Sequence, residues 1–181
     1  MKSRTIRSHL DRRLLVLACV AYLLQGCCSG LLDDTNNDSP TQAQAQTLIQ
    51  IQPGFTPQPL LAVGSNDGTF VNALDFGGDQ CRGMLRPEPQ HRIVVTADIP
   101  MLFIAARGQG TDPTLVIRTP SGQSLCNDDT EGRDPLVSGP FPAGTYQVYV
   151  GSWGNAPQGP YRLGISETPL LPSALPFAPP Q

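Results

Sequence analysis

Residues 142–152 read Pro142-Ala143-Gly144-Thr145-Tyr146-Gln147-Val148-Tyr149-Val150-Gly151-Ser152. A tight-turn string opens the stretch, and period-two alternation follows it: Tyr146, Val148 and Val150 share one side, with Thr145, Gln147 and Gly151 against them. Successive side chains of a strand point to opposite faces, so this is the signature of a strand buried on one face. The same pattern recurs outward from it. Ile93, Val95 and Ala97 alternate with Arg92, Thr96 and Asp98, and Tyr161, Leu163 and Ile165 alternate with Arg162, Gly164 and Ser166. Leu102 with Ile104, and Leu115 with Ile117, supply further inward pairs. Turn residues such as Thr119-Pro120-Ser121-Gly122 separate these runs. No stretch after the leader keeps a helical apolar period over three turns. About eight short strands of this kind imply an all-β fold, an antiparallel β-sandwich of two packed sheets.

The N-terminus has a different design. Lys2, Arg4, Arg7, Arg12 and Arg13 precede the eleven apolar residues 14–24, and Leu24-Gln25-Gly26-Cys27 follows. Eleven residues in a helix reach about 16 Å, far short of the ~30 Å hydrocarbon thickness, so the run can be inserted and cut but not span. This is the layout of a secretory signal peptide ending in a lipoprotein cleavage box, residues 1–26 being the leader and Cys27 the acylated residue, with palmitate among its chains. Ordinary secretion, or an uncleaved N-terminal anchor, is the alternative. Val16-Leu17-Ala18-Cys19 mimics the box too, but a cut there would leave too short an apolar core. The protein is therefore expected in the cell envelope, held to the membrane by its lipid and facing the periplasm or exterior.

Beyond the leader the chain has seven arginines, no lysine and fourteen Asp plus Glu. A net acidic, lysine-free surface excludes nucleic acid, whose affinity comes mainly from cations neutralising phosphates. It also excludes polybasic docking on anionic lipid. Residues 27–58, polar and rich in Gln, Asn, Asp and Pro, read as a flexible tether, in which Thr47-Leu48-Ile49-Gln50-Ile51 could add an edge strand. Residues 59–167 form the sandwich. Residues 168–181, with Pro169, Pro172, Pro176, Pro179 and Pro180, read as a tail or a loosely packed extended segment.

Cys81 and Cys126 are two thiols in an oxidising compartment, most simply joined to each other, the alternative being two separate buried thiols. Asn127-Asp128-Asp129-Thr130-Glu131-Gly132-Arg133-Asp134 is the dense acidic cluster. Calcium needs several hard oxygens from a turning loop, which makes Asp128, Asp129 and Asp134 candidate ligands, with Glu131 close by. Against this, Asn127 and Asp128 could cap their own turn while Arg133 pairs a carboxylate. Trp153, at a strand end in a Gly/Pro-rich loop, is a candidate ligand-binding residue, since an exposed indole can stack a sugar face. Isolated indoles also cover core edges. His91 begins an alternating strand, which favours a structural place. No Gly-x-Ser-x-Gly, His-Glu-x-x-His or phosphate-loop string is present.

From Cys81 onward the order of motifs resembles the bacterial pre-peptidase C-terminal domain, in its single-copy, lipoprotein-type form. The strings are Cys81-Arg82-Gly83-Met84-Leu85, Asp98-Ile99-Pro100-Met101-Leu102-Phe103-Ile104, Asp112-Pro113-Thr114-Leu115-Val116-Ile117, Thr119-Pro120-Ser121-Gly122-Gln123, Cys126-Asn127-Asp128-Asp129-Thr130 and the opening stretch above. Met84 stands where that family usually has an aromatic. The resemblance implies a jelly-roll-like sandwich and a non-catalytic accessory or binding role, with calcium bound in some members.

Together these readings describe a lipid-anchored extracytoplasmic binding or accessory module without catalytic activity, whose partner is an envelope protein or a glycan. One rival is a glycan-binding sandwich, requiring an exposed Trp153 with Tyr149 or Tyr161 nearby. The other is a small envelope hydrolase, requiring a convergent cleft around His91.

Overall fold

The computed structural model describes residues 46–154, 156 and 158–177. The leader, Cys19, Cys27 and residues 178–181 lie outside them. Eleven strands run in chain order: β1 Thr47–Ile51, β2 Leu60–Ser65, β3 Val71–Asn72, β4 Met84–Leu85, β5 His91–Val95, β6 Ile99–Gly108, β7 Pro113–Arg118, β8 Ser124–Asn127, β9 Leu136–Phe141, β10 Gly144–Ser152 and β11 Pro160–Ser166. One short helix, α1, spans Leu74–Gly77. The strands form a seven-stranded and a four-stranded sheet, an all-β sandwich.

In the larger sheet β10 is the central strand. Its first half pairs β5 from Gly144↔Val95 to Val148↔His91, and its second half pairs β7 from Gln147↔Arg118 to Ser152↔Pro113. β8 continues beyond β7, while β4 and β3 close the far end of β10. In the smaller sheet the order is β2-β11-β6-β9, all antiparallel. The strand expected at 47–51 is present, but it lies parallel to β5, from Thr47↔His91 to Ile51↔Val95.

Alternation builds the core between the sheets. Ile93 and Val95, Leu102, Ile104 and Ala106, Leu115 and Ile117, Tyr146, Val148 and Val150, and Tyr161, Leu163 and Ile165 all point inward and are buried together. Ala97 falls beyond the end of β5 and is exposed. Full burial of each such large apolar side chain stabilises the fold by about 1.5–3 kcal/mol, which is why the pattern carries so much information.

Each outer face carries a partial cover as well, and two expected boundaries move. Residues 46–58 are not tether. Ile49, Ile51 and Phe55 belong to the core, and Gln58 donates to the Phe55 carbonyl while its Oε1 accepts from Glu167 N. Nor is the proline-rich end loose. Leu170 and Leu175 pack with Ala105 on the outer face of the smaller sheet, and Arg107 Nη1 donates to the Leu175 carbonyl at 2.8 Å. Gly164 makes room for this layer, since a Cβ there would overlap Leu175 Cδ2. Prolines stop a strand or helix, but they leave the leucines between them free to pack. On the opposite outer face, Ala73, Cys81, Leu85, Val116 and Tyr149 form a separate cluster under α1.

Candidate functional site

That outer cluster supports a cleft. The chain leaves β3, makes α1 and the single turn Gly78–Gln80, and returns through Cys81 to β4. Cys81 and Cys126 are disulfide-bonded with Cα atoms 5.2 Å apart, so the returning segment is fastened to β8. Three hydrogen bonds set its backbone: Leu74 N donates to Asn72 Oδ1 at 3.0 Å, Ala73 N to the Gly83 carbonyl at 2.9 Å, and the buried Thr114 Oγ1 to the Arg82 carbonyl at 2.7 Å. From β10, Trp153 arrives with its backbone N–H on the Asp112 carbonyl at 2.8 Å. Nearby, Asn66 is wholly buried. Its Nδ2 donates to the Gly151 carbonyl and its Oδ1 accepts from Gly159 N, both at 2.7 Å, tying the end of β2 to β10 and to the approach to β11.

The result is an open cleft of about 560 Å³ lined by Asn72, Leu74, Asp79, Arg82, Met84 and Trp153 among others. Leu74 and Trp153 are large apolar side chains left 46% and 39% exposed. An indole and two flexible aliphatic chains give apolar contact, while Asp79 and Arg82 offer one acceptor group and one donor group. Mostly apolar walls with few polar groups are what ligand clefts use to hold and orient a ligand.

The other predicted residues fall elsewhere. Tyr149 is buried against Phe76, ring centroids 5.0 Å apart, and Tyr161 is buried against His91, so neither joins Trp153. The calcium candidates Asp128, Asp129 and Asp134 are not gathered. Among the described residues no three or more His, Cys, Asp or Glu are placed to hold a metal ion. Asp134 Oδ1 instead accepts from Gly108 N at 2.9 Å, and Glu131 accepts both the amide and the hydroxyl of Ser173. Asn127 Oδ1 takes the Thr130 hydroxyl and Leu136 N, a turn capping itself as the residue types allow. Arg133 Nε lies 3.8 Å from Asp112 Oδ2, so its carboxylate partner comes from outside the acidic string. Partial burial raises the Asp112 carboxyl, with the Asp129 field next, against the opposing Arg133.

His91 is 1% exposed and its Nε2 lies 2.8 Å from Tyr161 Oη. Burial lowers its pKa to about 4, so it is neutral at pH 7. Ser65, on the wall of the same cavity, is bonded to Asp67 rather than to this histidine, and no serine–histidine hydrogen bond is formed among the described residues. Sequence reasoning found Trp153 and missed Leu74, Asp79 and Arg82 beside it. The oddity of Met84 was legible, but only the folded-back disulfide segment brings these residues into one cleft with the indole.

No family model matches the sequence. Over 55 residues, 30% of this chain and 40% of the relative, it is 42% identical to an uncharacterized protein of Synechococcus elongatus. The match thus spans two fifths of that relative's length. Among solved structures the chain is similar to the pre-peptidase C-terminal domain of a collagenase from Bacillus anthracis, at 17% identity over 67% of this chain and 97% of that one, with a TM-score of 0.42. The motif order in the sequence resembles the same kind of domain. It is also similar to PliG of Aeromonas hydrophila, a periplasmic inhibitor of g-type lysozyme, at 16% identity over 67% and 98% of the two chains and a TM-score of 0.37.

Proposed function

We propose that this protein is a lipid-anchored, extracytoplasmic binding module without catalytic activity, and that the cleft at Trp153 is its ligand face. The observation that carries the reading is an exposed indole over a cleft whose opposite wall is pinned by the Cys81–Cys126 disulfide and by the buried Thr114 bond to Arg82. A wall fixed in advance loses little entropy when a ligand arrives, so modest contacts suffice for binding. The disulfide, together with the leader ending at Cys27, supports a place outside the cytoplasm. The partner is an envelope protein or a glycan. The exposure of Trp153 favours the glycan reading: a sugar's apolar face would stack on the indole while Asp79 and Arg82 take its hydroxyls.

Trp153 is the sole tryptophan of the chain, so its fluorescence reports on the cleft directly. Titration with soluble peptidoglycan fragments should shift or quench the emission saturably, and Trp153→Ala should abolish retention on a peptidoglycan column. If neither these fragments nor fractionated envelope proteins move the emission, the cleft is not a ligand face. The anchor has its own test. Cys27→Ser should move the protein from the membrane fraction to the soluble one, and unchanged fatty-acid labelling in that variant would rule Cys27 out.

A further inference from the structure

A second, more enclosed cavity of about 210 Å³ lies where the end of β2 meets the starts of β5 and β11. Its walls include His91, Tyr161, Arg86 and Glu88. This is far more than the roughly 10–15 Å³ that a single water needs. His91 and Tyr161 are both almost wholly buried, and they bond to each other through Nε2 and Oη.

The hydrogens of this pair do not balance. A neutral imidazole carries one N–H and a phenol one O–H, so the pair holds two hydrogens and spends one between its members. With Nε2 protonated, the imidazole donates to Tyr161 Oη and the phenol hydrogen is left over. With Nδ1 protonated, the phenol donates to Nε2 and the Nδ1 hydrogen is left over, and Nδ1 has no partner among the described residues. Either way a buried donor faces no acceptor, a loss of about 1–3 kcal/mol if nothing fills the place. Tyr161 lines the cavity while Nδ1 has no accessible surface, so it is the phenol hydrogen that an acceptor in the cavity can reach. Gly64 keeps the phenol in position, since a Cβ at that residue would overlap Tyr161 Oη.

The charges on the walls say what kind of acceptor. Arg86 stands close enough to oppose the upward shift that burial gives the Tyr161 phenol, so a negative oxygen beside the phenol would lie in a favourable field. Glu88, on the same cavity, would repel a simple anion and attract a cationic group next to it. We propose that this cavity binds a small zwitterion of the amino-acid class, its carboxylate on Tyr161 and Arg86 and its ammonium toward Glu88. The site is separate from the cleft at Trp153 and stands whether or not that cleft takes a glycan.

The experiment uses glycine, acetate and methylamine as probes on the purified full-length protein. The imidazole nitrogen resonances of His91, the sole histidine beyond the leader, are followed by NMR. Glycine should move the His91 signals saturably at millimolar concentration, with acetate and methylamine each weaker by about tenfold or more. Glu88→Gln, a change on the protein surface, should weaken glycine about tenfold while acetate is unaffected or improved. Tyr161→Phe should abolish saturation, and a melting curve shows whether that variant is folded. No saturation by glycine, or acetate binding as tightly as glycine, overturns the proposal. So does an undiminished glycine affinity in Glu88→Gln.

Discussion

Between the sheets, burial follows the alternation of the strands themselves. On the outer faces it depends on covers that have no strand character. The contrast runs through single strands: in β7, Leu115 and Ile117 enter the inter-sheet core while Val116 enters the cluster beneath α1. In β10, Val148 and Val150 point inward and Tyr149 outward, into that same cluster. The inner layer is made by residues whose neighbours in sequence already dictate their side. The outer layers exist only because a disulfide-bonded excursion and a docked C-terminal segment come to lie over them. This difference predicts that the outer layers can be lost while the inner one survives, and that the cleft at Trp153 goes with them.

Removing the disulfide should have the largest effect. Joining residues 45 apart stabilises the fold by about 4 kcal/mol in the chain-entropy model. The double variant Cys81→Ser, Cys126→Ser should therefore melt much lower, yet below its midpoint keep the far-UV signature of two sheets and lose ligand response at Trp153. Loss of the sheets at low temperature as well would mean that the outer cluster is not a separable layer.

Acid probes His91, which is buried beside the inner layer against Tyr161. The folded pKa of His91, about 4, lies below its unfolded value of 6.5, so the unfolded chain binds more protons between those limits. Stability is complete above pH 6.5 and falls as the pH drops toward 4, by about 3 kcal/mol from this residue. Denaturant midpoints measured at steps across that window should show the decline. The difference between wild type and His91→Gln isolates it from the carboxylates, and equal slopes in the two proteins would refute it.

A smaller effect is expected at Gly164. Its Ala variant drives a methyl into Leu175 and should cost about 2 kcal/mol, the usual scale of overpacking. Residues 168–177 should then become the first site of limited proteolysis, with the inner layer still protected. If protease resistance is unchanged, the C-terminal cover tolerates more than its packing suggests.

The smallest change in stability belongs to Trp153→Ala. The indole is 39% exposed and stands at an open cleft, so its truncation should cost about 1 kcal/mol. Ligand retention should nevertheless vanish. A large destabilisation would place the indole among the core covers instead.

The same contrast explains what was legible in the sequence. The inward sets of β6, β7, β10 and β11 could be read residue by residue, because period two is a local property. Alternation turns Val116, Tyr149 and Ala105 away from the inter-sheet core, yet they are buried, since their covers arrive from segments 66–83 and 168–177, which carry no period. Proline content showed that 168–181 would not continue a strand, and said nothing of whether Leu170 and Leu175 would find a surface. At the candidate site Trp153 and the disulfide were legible as residue types. Asp79, Arg82 and Leu74 were not, because only the return of the chain through Cys81 makes them neighbours of the indole. The acidic string promised oxygens but could not show that Asp134 and Glu131 would be turned to Gly108 and Ser173.

Among the described residues strand β2 has a single partner, and that partner is β11, the last strand among them: Leu60 faces Ile165 and Ser65 faces Pro160. Synthesis proceeds from the N-terminus, so β2 emerges about a hundred residues before its partner exists. Contacts of such long sequence separation are slow to form. Until β11 is delivered, the smaller sheet lacks its second strand and the inner faces of β6 and β9 have an open flank. The topology thus sets an order of events: the smaller sheet is complete, and the two sheets close over each other, only once β11 has arrived.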